Sequence, residues 1–589
     1  MNDPLPQWDL SALYLSPDDP AIARDLSEAR RRADEFAAAH EGALARLDAD
    51  ALAALLDAYE SLLAAIYRPQ LYAQLVSATA TLDESVRAMA ARVGEASTAA
   101  LNHVRFVDLE LGRVDDATHA RWDAHPALAR YRHHLARARQ AAPHTLPTEV
   151  ESALATKDLT GRRAWSQLYN ELCAGWRFTL PRDPAVSLNL AEVRSLREDA
   201  DRETRAMAHA AVLERLERES QVIAFVVNTL YQDHRLETDL RRYDHPVAPT
   251  LLDDELPRAT LDALMTAVED HYPVAQKYFS LKARALGLPR LATHDVLAPY
   301  PDGERPATFD EARADVLASF EALSPRARAL AEAFFTEGRI DAAPRAGKRD
   351  GAFCAGMVPG VAPRVLVNFN GRLRDVFTLA HELGHGVHFA LAGERQSLLN
   401  YWPTSPMAET ASVFGEMLLT RRLLGTVSDR ALRRQLLAAR IEEALGTIHR
   451  QVAFTRYERN AHDERARAVL STERLCALWS AETGRLYGDA VERSPRDAWG
   501  WAGIPHLIHY RFYCYSYAFG QLLVFALYDL WERDGEAFVP RYLDLLAGGG
   551  SAAPQDLLRP LGIDLTDPGF WRRGLDVVTR MVDEFAASV

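Results

Sequence analysis

Two histidines and a glutamate with the spacing of a metal site occur in the sequence HELGH at residues 381–385. In a helix, residues four apart lie on one face a turn apart, so His381 and His385 can present their imidazoles to one metal ion. Glu382 lies beside them, where a carboxylate can act as general base on a metal-activated water without binding the metal. The spacing therefore predicts a zinc site with hydrolytic chemistry.

The surroundings of this motif distinguish it from a chance match, which is expected in about one of twenty such chains. A chance match usually falls on a solvated face, whereas this one lies in an apolar stretch that predicts a buried helix. Gly384 and Gly386 each weaken such a helix by about 1 kcal/mol relative to alanine, so we expect another part of the chain to approach its backbone there. The apolar neighbours are Val376, Phe377, Leu379, Ala380, Leu383, Val387, Phe389 and Leu391.

A catalytic zinc needs a third protein ligand and one open position. The metzincin pattern is excluded because it requires glycine at position 388 and histidine at 391, where this chain has His388 and Leu391. A glutamate about twenty residues beyond the second histidine, another common arrangement, is also absent, since that spacing falls near Thr404 or Ser405.

The next apolar helical stretch, residues 406–419, supplies Glu409, which we predict to be the third ligand. The alternative is an ordinary first-turn glutamate favoured by the helix dipole. Glu416, seven residues on and on the same face, is either a hydrogen-bond partner of a ligand histidine or an exposed glutamate.

A second group of polar aromatic residues lies near the C-terminus. His506, Tyr510, Tyr513 and Tyr517 are spaced i, i+4, i+7 and i+11, which places them on one face if the segment is helical. Such a face suits a site where fixed donors stabilise a developing oxyanion. An aromatic stripe of the hydrophobic core is the alternative.

These motifs resemble the M3 family of zinc oligopeptidases, specifically its oligoendopeptidase F group. The resemblance extends over most of the chain. It rests on the segments Phe377–His385 with His388, Ala408–Ser412, Trp8–Tyr14, Ile504–His506 and Phe512–Ala518. Between His506 and the tyrosine run this chain carries one extra residue, which leaves the role of each tyrosine open.

The resemblance implies a zinc-dependent endopeptidase of short oligopeptides with one Zn²⁺ per chain, held by His381, His385 and Glu409. Glu382 is then the general base. His506 and Tyr517, with Tyr510 and Tyr513, are the expected catalytic donors to the oxyanion. The implied fold is mainly α, a large bundle-like zincin of the gluzincin type with a small β-sheet next to the metal helix and a deep substrate channel.

Two other functions remain open. A zinc carboxypeptidase or dipeptidase could use the same ligand helix, and the two differ in where they cleave. A non-catalytic helical adaptor with a structural metal is the third possibility. A structural zinc typically has a fourth cysteine or histidine ligand, and Cys354 is the only candidate in the sequence.

The remaining sequence predicts helices interrupted twice. Residues 17–175 are rich in alanine, leucine, arginine and glutamate with apolar spacing of three and four, as in antiparallel helices. Segments 16–19 and 81–84, where a capping oxygen is followed by acidic residues, are predicted helix starts. The proline-containing segment 178–185 is extended, and we place a boundary there between an N-terminal helical domain, 1–185, and a catalytic domain, 186–589. Segments 349–356 and 364–371 are predicted strands with glycine at their ends.

Composition restricts the partners and the compartment. The chain has 589 residues and a formal net charge of −14, without the basic stripe that would bind nucleic acid. No apolar run is long enough to span a membrane, and the start of the chain, residues 1–4, lacks an export signal. Four dispersed cysteines indicate reduced thiols. We expect a cytoplasmic protein with oligopeptide substrates, and the sequence does not predict its oligomeric state.

Overall fold

The computed structural model describes residues 4–300 and 306–589, and almost all of its regular structure is helical. The helices before residue 300 are α1 (Pro20–His40), α2 (Ala49–Thr79), α3 (Glu84–Val104), α4 (Phe106–Arg113), α5 (Asp116–Ala124), α6 (Arg132–Ala141), α7 (Thr148–Asp158), α8 (Arg162–Gly175), α9 (Leu190–Ser195), α10 (Arg202–Leu240), α11 (Ala248–Asp253), α12 (Arg258–Asp270) and α13 (Tyr272–Ala285). Those after it are α14 (Phe309–Leu323), α15 (Pro325–Thr336), α16 (Leu373–Arg395), α17 (Ser405–Ala408), α18 (Ser412–Thr426), α19 (Arg430–Ala444), α20 (Arg450–Arg465), α21 (Thr472–Tyr487), α22 (His506–His509), α23 (Cys514–Asp534), α24 (Val539–Ala547), α25 (Pro554–Leu558) and α26 (Pro568–Ala586). The mainly α prediction is confirmed.

Three small sheets accompany the helices. Their strands are β1 (Phe178–Leu180), β2 (Asp183–Leu188), β3 (Leu291–Ala292), β4 (Ile340–Asp341), β5 (Phe353–Ala355), β6 (Arg364–Leu366) and β7 (Val491–Glu492). β1 pairs with β2, β3 pairs with β7, and the third sheet has the order β4-β6-β5. The predicted extended segment at 178–185 and the two predicted strands before the metal helix are therefore confirmed.

The described chain divides into two compact units, each built from three segments. The first unit comprises Met1–Pro143, Glu304–Thr426 and Leu530–Ile563. The second unit comprises His144–Gly303, Val427–Asp529 and Asp564–Val589. The predicted domains 1–185 and 186–589 follow different bounds and stay a prediction.

Helix starts in the first unit follow the predicted capping chemistry. Asp19 accepts a hydrogen bond from the backbone N–H of Ala21 at the start of α1, and Asp83 accepts from Ser85 and Val86 at the start of α3. A side-chain oxygen at the N-cap satisfies backbone donors that have no partner within the helix. The acidic residues that marked these positions in the sequence therefore act as caps.

The metal helix α16 is packed closely on both sides of its motif. A Cβ atom at Gly384 would lie 2.5 Å from the Cα atom of Ser412, at the start of α18. A Cβ atom at Gly386 would lie 2.9 Å from the ring carbon Cε1 of Phe334 on α15. The predicted close approach at these two glycines is confirmed, because only a residue without a side chain fits at either position.

The structure corrects two predicted helices. The stretch 406–419 is not continuous, because α17 ends at Ala408 and α18 begins at Ser412, which leaves Glu409 in the break between them. The C-terminal segment is likewise interrupted between α22 and α23. Within that interruption Phe512 has a φ of 51°, a backbone conformation that ends a helix. The condition for a single helical face carrying the tyrosines, one continuous helix, is therefore not met.

Two further sequence expectations concern the compartment. Among the helices of the described residues, none has both the length and the apolar character to cross a membrane. All four cysteines are free thiols. The predicted absence of an export signal falls largely on residues 1–3, which lie outside the described residues.

Candidate metal centre

Three side chains of the first unit converge where the sequence predicts a metal. His381 and His385 lie one turn apart on α16, and Glu409 faces both from the break between α17 and α18. Its Oε2 atom lies 3.3 Å from His381 Nε2 and 3.5 Å from His385 Nε2. One ligand atom from each residue lies within 4.8 Å of the other two. Two imidazoles and a carboxylate are a donor set that suits zinc.

Glu416 holds the first histidine in place. Its Oε1 atom lies 2.6 Å from His381 Nδ1. Glu416 itself is buried. A carboxylate on the far side of a ligand imidazole fixes the ring orientation and leaves Nε2 free to bind a metal. Of the two sequence interpretations of Glu416, this geometry favours the hydrogen-bond partner over the exposed glutamate.

The other two ligands are also oriented by hydrogen bonds. A ring N–H of His385 donates to the backbone carbonyl of Ala408. The Ser412 hydroxyl donates to Glu409 Oε2 at 2.7 Å. All three ligand side chains are therefore oriented by hydrogen bonds to other groups of the protein.

The segment that carries Glu409 is fixed from the C-terminal part of the same unit. The Tyr542 hydroxyl on α24 donates to the carbonyl oxygen of Thr410 at 2.9 Å. The ring of Tyr542 stacks on Phe414 with a centroid distance of 4.5 Å. These contacts determine where the chain departs from helical geometry next to the ligand.

The electrostatics of the three ligands differ. Burial opposes the charged form of His381, but the hydrogen bond and negative charge of Glu416, together with Glu409, raise its pKa to about 9. Burial lowers the pKa of His385 to about 4, and the charge on His381 adds to this effect. Burial favours the neutral acid of Glu409, but the two imidazoles and Ser412 outweigh it and lower its pKa. Near neutral pH, only His381 must lose a proton to bind a metal.

Glu382 lies between the metal ligands in sequence and is 6% exposed. It accepts a hydrogen bond from the backbone N–H of Cys354 on β5, while its Oε2 atom is buried without a hydrogen-bond partner among the described residues. Burial raises its pKa to about 7. A carboxyl group with one free oxygen and a pKa near neutrality has the properties of a general base. A water molecule at the metal site would supply the hydrogen bond that the buried Oε2 atom lacks.

The predicted oxyanion donors form a cluster in the second unit. His506 Nε2 and the hydroxyl of Tyr517 lie 3.1 Å apart. The ring of Tyr513 stacks on His506 at a centroid distance of 6.2 Å and lies 5.6 Å from the ring of Tyr510. Tyr510 is 59% exposed and Tyr517 is 37% exposed. The structure brings all four residues together and leaves polar groups of this cluster open to solvent.

The cluster depends on the interruption between α22 and α23. The backbone N–H of Phe512 donates to Glu458 Oε1 at 2.9 Å, and Glu458 is buried. Tyr515, on the first turn of α23, donates to Asp254. The turn brings Tyr517 back towards His506, so the two side chains meet although the segment is not one continuous helix.

Among the groups that orient the ligands, Glu416 was one of two possibilities in the sequence, but Ser412, the Ala408 carbonyl and Tyr542 were not predicted. Ser412 lies three residues after Glu409, a spacing that the sequence displays. Neither the Ala408 carbonyl nor Tyr542 has a comparable signal, because a backbone acceptor is present at every residue and Tyr542 lies far along the chain. Only Ser412 could have been found by inspection.

Two known family models match the parts of the chain that carry these motifs. Residues 195–577 match the family model for peptidase family M3, and residues 110–178 match the model for oligopeptidase F. The two matched ranges include the metal ligands and the C-terminal His/Tyr cluster.

Individual relatives agree with the family match. The oligoendopeptidase F homolog of Lactococcus lactis subsp. lactis (strain IL1403) is 28% identical over 412 residues, which cover 68% of this chain and 67% of that protein. The crystal structure of oligoendopeptidase-F from Enterococcus faecium superposes with a TM-score of 0.70 at 22% identity, covering 97% of each chain. A solved structure from Chlamydophila abortus gives a TM-score of 0.88 at 24% identity, covering 99% of this chain and 98% of that one. At these identities the two structures establish a shared fold.

Proposed function

The chain belongs to peptidase family M3 and is a metallo-endopeptidase of oligopeptides; from this premise we propose that it uses one zinc ion held by His381, His385 and Glu409. The observation that carries the proposal is the convergence of these three ligands within 4.8 Å beside a buried carboxyl group with an unpartnered oxygen. A zinc ion bound there would make water acidic enough to ionise near neutral pH and would polarise the scissile carbonyl.

Glu382 is the proton-transfer residue in this proposal. Its free Oε2 atom accepts a proton from the attacking water, and the same carboxyl group then returns a proton to the leaving amine. Two properties support this role: the oxygen has no other partner among the described residues, and burial raises the pKa of the side chain to about 7. A carboxyl group with that pKa can both accept and release a proton near neutral pH.

Stabilisation of the oxyanion is assigned to the His/Tyr cluster. We infer that His506 and Tyr517 donate hydrogen bonds to the developing negative charge, with Tyr510 and Tyr513 as alternatives. The hydroxyl of Tyr517 is held against His506 Nε2, and the residue is 37% exposed, which suits a fixed donor that a substrate can reach. Resemblance to the family supports the same residues.

The alternative functions differ from this one in the number of protein ligands to the metal or in the site of cleavage. A structural zinc would have a fourth protein ligand, whereas the described residues that converge here supply three. Cys354, the candidate fourth ligand, is not among the residues that converge with these three. A carboxypeptidase differs from an endopeptidase only in requiring a free substrate carboxylate, which a blocked peptide tests directly.

Several wider features of the function belong to the same proposal. The catalytic domain comprises residues 186–589 after a helical domain of residues 1–185, and a deep channel in that domain selects short unfolded peptides. The enzyme acts in the cytoplasm, a location that its four free cysteines support. Its partners are oligopeptides, with no role for nucleic acid or a membrane.

The test is cleavage of an internally quenched peptide of about ten residues, roughly 33 Å when extended, blocked at both ends. We expect the zinc-loaded wild type to cut it internally. Glu382→Gln retains the metal ligands, so it should bind one zinc per chain and lose activity by at least about a thousandfold, within the range that general-base catalysis and water activation together contribute.

Glu394→Gln is the matched control, because Glu394 lies on the same helix α16 but is exposed. It should bind zinc and cut the peptide as the wild type does. Cleavage of an unblocked peptide alone would identify a carboxypeptidase. Zinc binding without cleavage of either peptide by the wild type would identify a structural metal and overturn the catalytic assignment.

A further inference from the structure

A cavity of about 210 Å³ lies entirely within the second unit, and four arginines line it. They come from separate parts of the chain: α9, the turn after it, the start of α20 and the segment after β7. These residues are Arg194, Arg197, Arg450 and Arg493. Because they are distant in sequence, their convergence is produced by the tertiary fold and is not the pattern of one helix face.

Positive charge dominates the lining. Asp497 is the one acidic residue that lines the cavity in the described part of the chain. Its carboxylate is already engaged, with His209 Nε2 at 2.8 Å, the hydroxyl of Thr293 at 3.1 Å and the backbone N–H of Ser494 at 2.6 Å. Four guanidinium groups and a single carboxylate therefore line the cavity, and that carboxylate is hydrogen-bonded to other groups of the protein.

Two of the arginines have no partner among the described residues. Arg194 donates to the carbonyl of Gly503 at 3.2 Å, and Arg493 donates to the carbonyl of Ser480 at 2.9 Å. The side chains of Arg197 and Arg450, in contrast, make no hydrogen bond or ion pair within residues 4–300 and 306–589. The Nε atom of Arg197 is buried without an acceptor. A buried guanidinium donor without an acceptor is costly, and an anion would remove that cost.

The electrostatic environment supports the same interpretation. Burial lowers the pKa of Arg197, and repulsion by Arg194 and Arg450 adds to this effect, while Tyr487 and Asp497 act in the opposite direction. The arginine charge is thus held where the protein itself destabilises it. A ligand with negative charge would stabilise the charged form of Arg197, because guanidinium groups bind carboxylate and phosphate oxygens through paired hydrogen bonds.

The lining also has an apolar part. Phe454 and Trp479 line it with ring centroids 5.2 Å apart, and Leu213 and Leu486 lie beside them. Trp479 Nε1 donates to the backbone carbonyl of Asp497, so its polar atom is satisfied and the ring presents an apolar surface. A ligand that fills the cavity therefore has an apolar part as well as a negative charge.

We propose that this cavity binds an organic anion, with its carboxylate or phosphate held by Arg197 and Arg450 and an aromatic or branched apolar group against Phe454 and Trp479. This site is distinct from the metal centre and goes beyond the proposed peptidase activity. The same chemistry is presented by a free organic acid and by the C-terminal residue of a peptide, and the experiment separates these two sources.

The test is calorimetric titration of the full chain, both metal-free and zinc-loaded, with three compounds. N-acetyl-L-phenylalanine and phenyl phosphate carry a negative charge and a ring, and N-acetyl-L-phenylalaninamide is the neutral control. We expect at least one of the two anions to bind with the same affinity in both metal states and the amide not to bind. Dependence on zinc would assign binding to the metal centre and overturn the proposal.

Variants locate the binding. Arg450→Gln and Arg197→Gln should each weaken binding of the anion about tenfold or more, the usual effect of losing a charged hydrogen bond. Arg450 is exposed on its helix, so its replacement tests the site even if Arg197→Gln folds poorly. Arg218→Gln is the matched control, because Arg218 is an exposed arginine of the same unit paired with Glu214. Equal weakening by the control, or equal binding of anion and amide, would refute the site.

A competition experiment then identifies the source. A ten-residue peptide ending in phenylalanine with a free carboxylate should displace the bound anion if the natural ligand is a peptide terminus, whereas its C-terminal amide should not. Failure of both peptides to displace it would assign the cavity to a free organic acid. Displacement by both would contradict recognition through the anionic group.

Discussion

Replacing Glu416 with glutamine should change how zinc binding depends on pH. In the metal-free wild type the pKa of His381 is about 9, and Glu416 contributes most to raising it. At pH 7 zinc must therefore displace a proton from His381, at a cost of about 1.4 kcal/mol for each pH unit below the pKa, or about 2.7 kcal/mol. His385 and Glu409, with lowered pKa values, add no such cost near neutrality.

The substitution has two opposing effects. A neutral amide still accepts a hydrogen bond from His381 Nδ1 but no longer stabilises the imidazolium, so the pKa falls to the ordinary value of about 6.5 or below. Loss of the carboxylate behind a ligand histidine also weakens metal binding by about 10- to 100-fold, or about 1.4–2.7 kcal/mol. At pH 7 the two effects nearly cancel, whereas at pH 9 only the second remains.

The assay is competition for zinc against a chelator of known pH dependence, from pH 6 to 9. Wild-type affinity should rise about 50-fold from pH 7 to 9, while Glu416→Gln stays nearly level and is about 10- to 100-fold weaker at pH 9. Glu394→Gln should follow the wild type. Parallel curves for wild type and Glu416→Gln, separated by one factor at every pH, would refute the role assigned to Glu416.

Three further predictions address packing and catalysis. Gly384→Ala should destabilise the protein, because overpacking against backbone atoms of α18 costs about 1–3 kcal/mol and outweighs about 1 kcal/mol of helix propensity. Gly94→Ala, in a helix with open space around the added carbon, should stabilise it by up to about 1 kcal/mol; denaturant unfolding that gave both substitutions the same sign would contradict this. Glu382 must be ionised to accept a proton, so kcat/KM should fall about tenfold per unit on the acid side of its pKa, which is about 7 without metal and lower beside a cation. An acid limb that persisted in Glu382→Gln would belong to another group. Tyr517→Phe should lower kcat by about ten- to a thousandfold with little change in KM, as loss of an oxyanion donor does, and an equal loss in both parameters would indicate substrate binding instead.

The sequence predicted the elements whose signal is local. Apolar spacing around HELGH predicts the buried helix α16, and its two glycines predict close packing that α18 and Phe334 provide. Acidic residues at helix starts predict the caps of α1 and α3. Two short segments with glycine at their ends predict β5 and β6. In each case the pattern and the structure it specifies lie within the same few residues. The family resemblance based on these motifs is confirmed by the match to peptidase family M3.

The sequence did not predict the features that depend on distant contacts. Residues around Glu409 favour a helix locally, but the helix breaks there because Tyr542, 132 residues beyond Thr410, binds the carbonyl of Thr410. The aromatic run near residue 512 also suggests a helix, yet Glu458, 54 residues earlier, holds the Phe512 N–H in a non-helical turn. Each compact unit is assembled from three separated segments, which no local change in composition marks.

The hydrogen bond between Tyr542 and Thr410 has a consequence for synthesis of the chain. When residue 426 leaves the ribosome, all three metal ligands have been made, but the residue that fixes the segment of Glu409 has not. At about 5–20 residues per second, the 132 residues from Thr410 to Tyr542 take roughly 7–26 s to translate. During that interval the nascent chain contains all three ligands, but the hydrogen bond that holds the segment of Glu409 in the folded protein cannot form until the C-terminal helices are made.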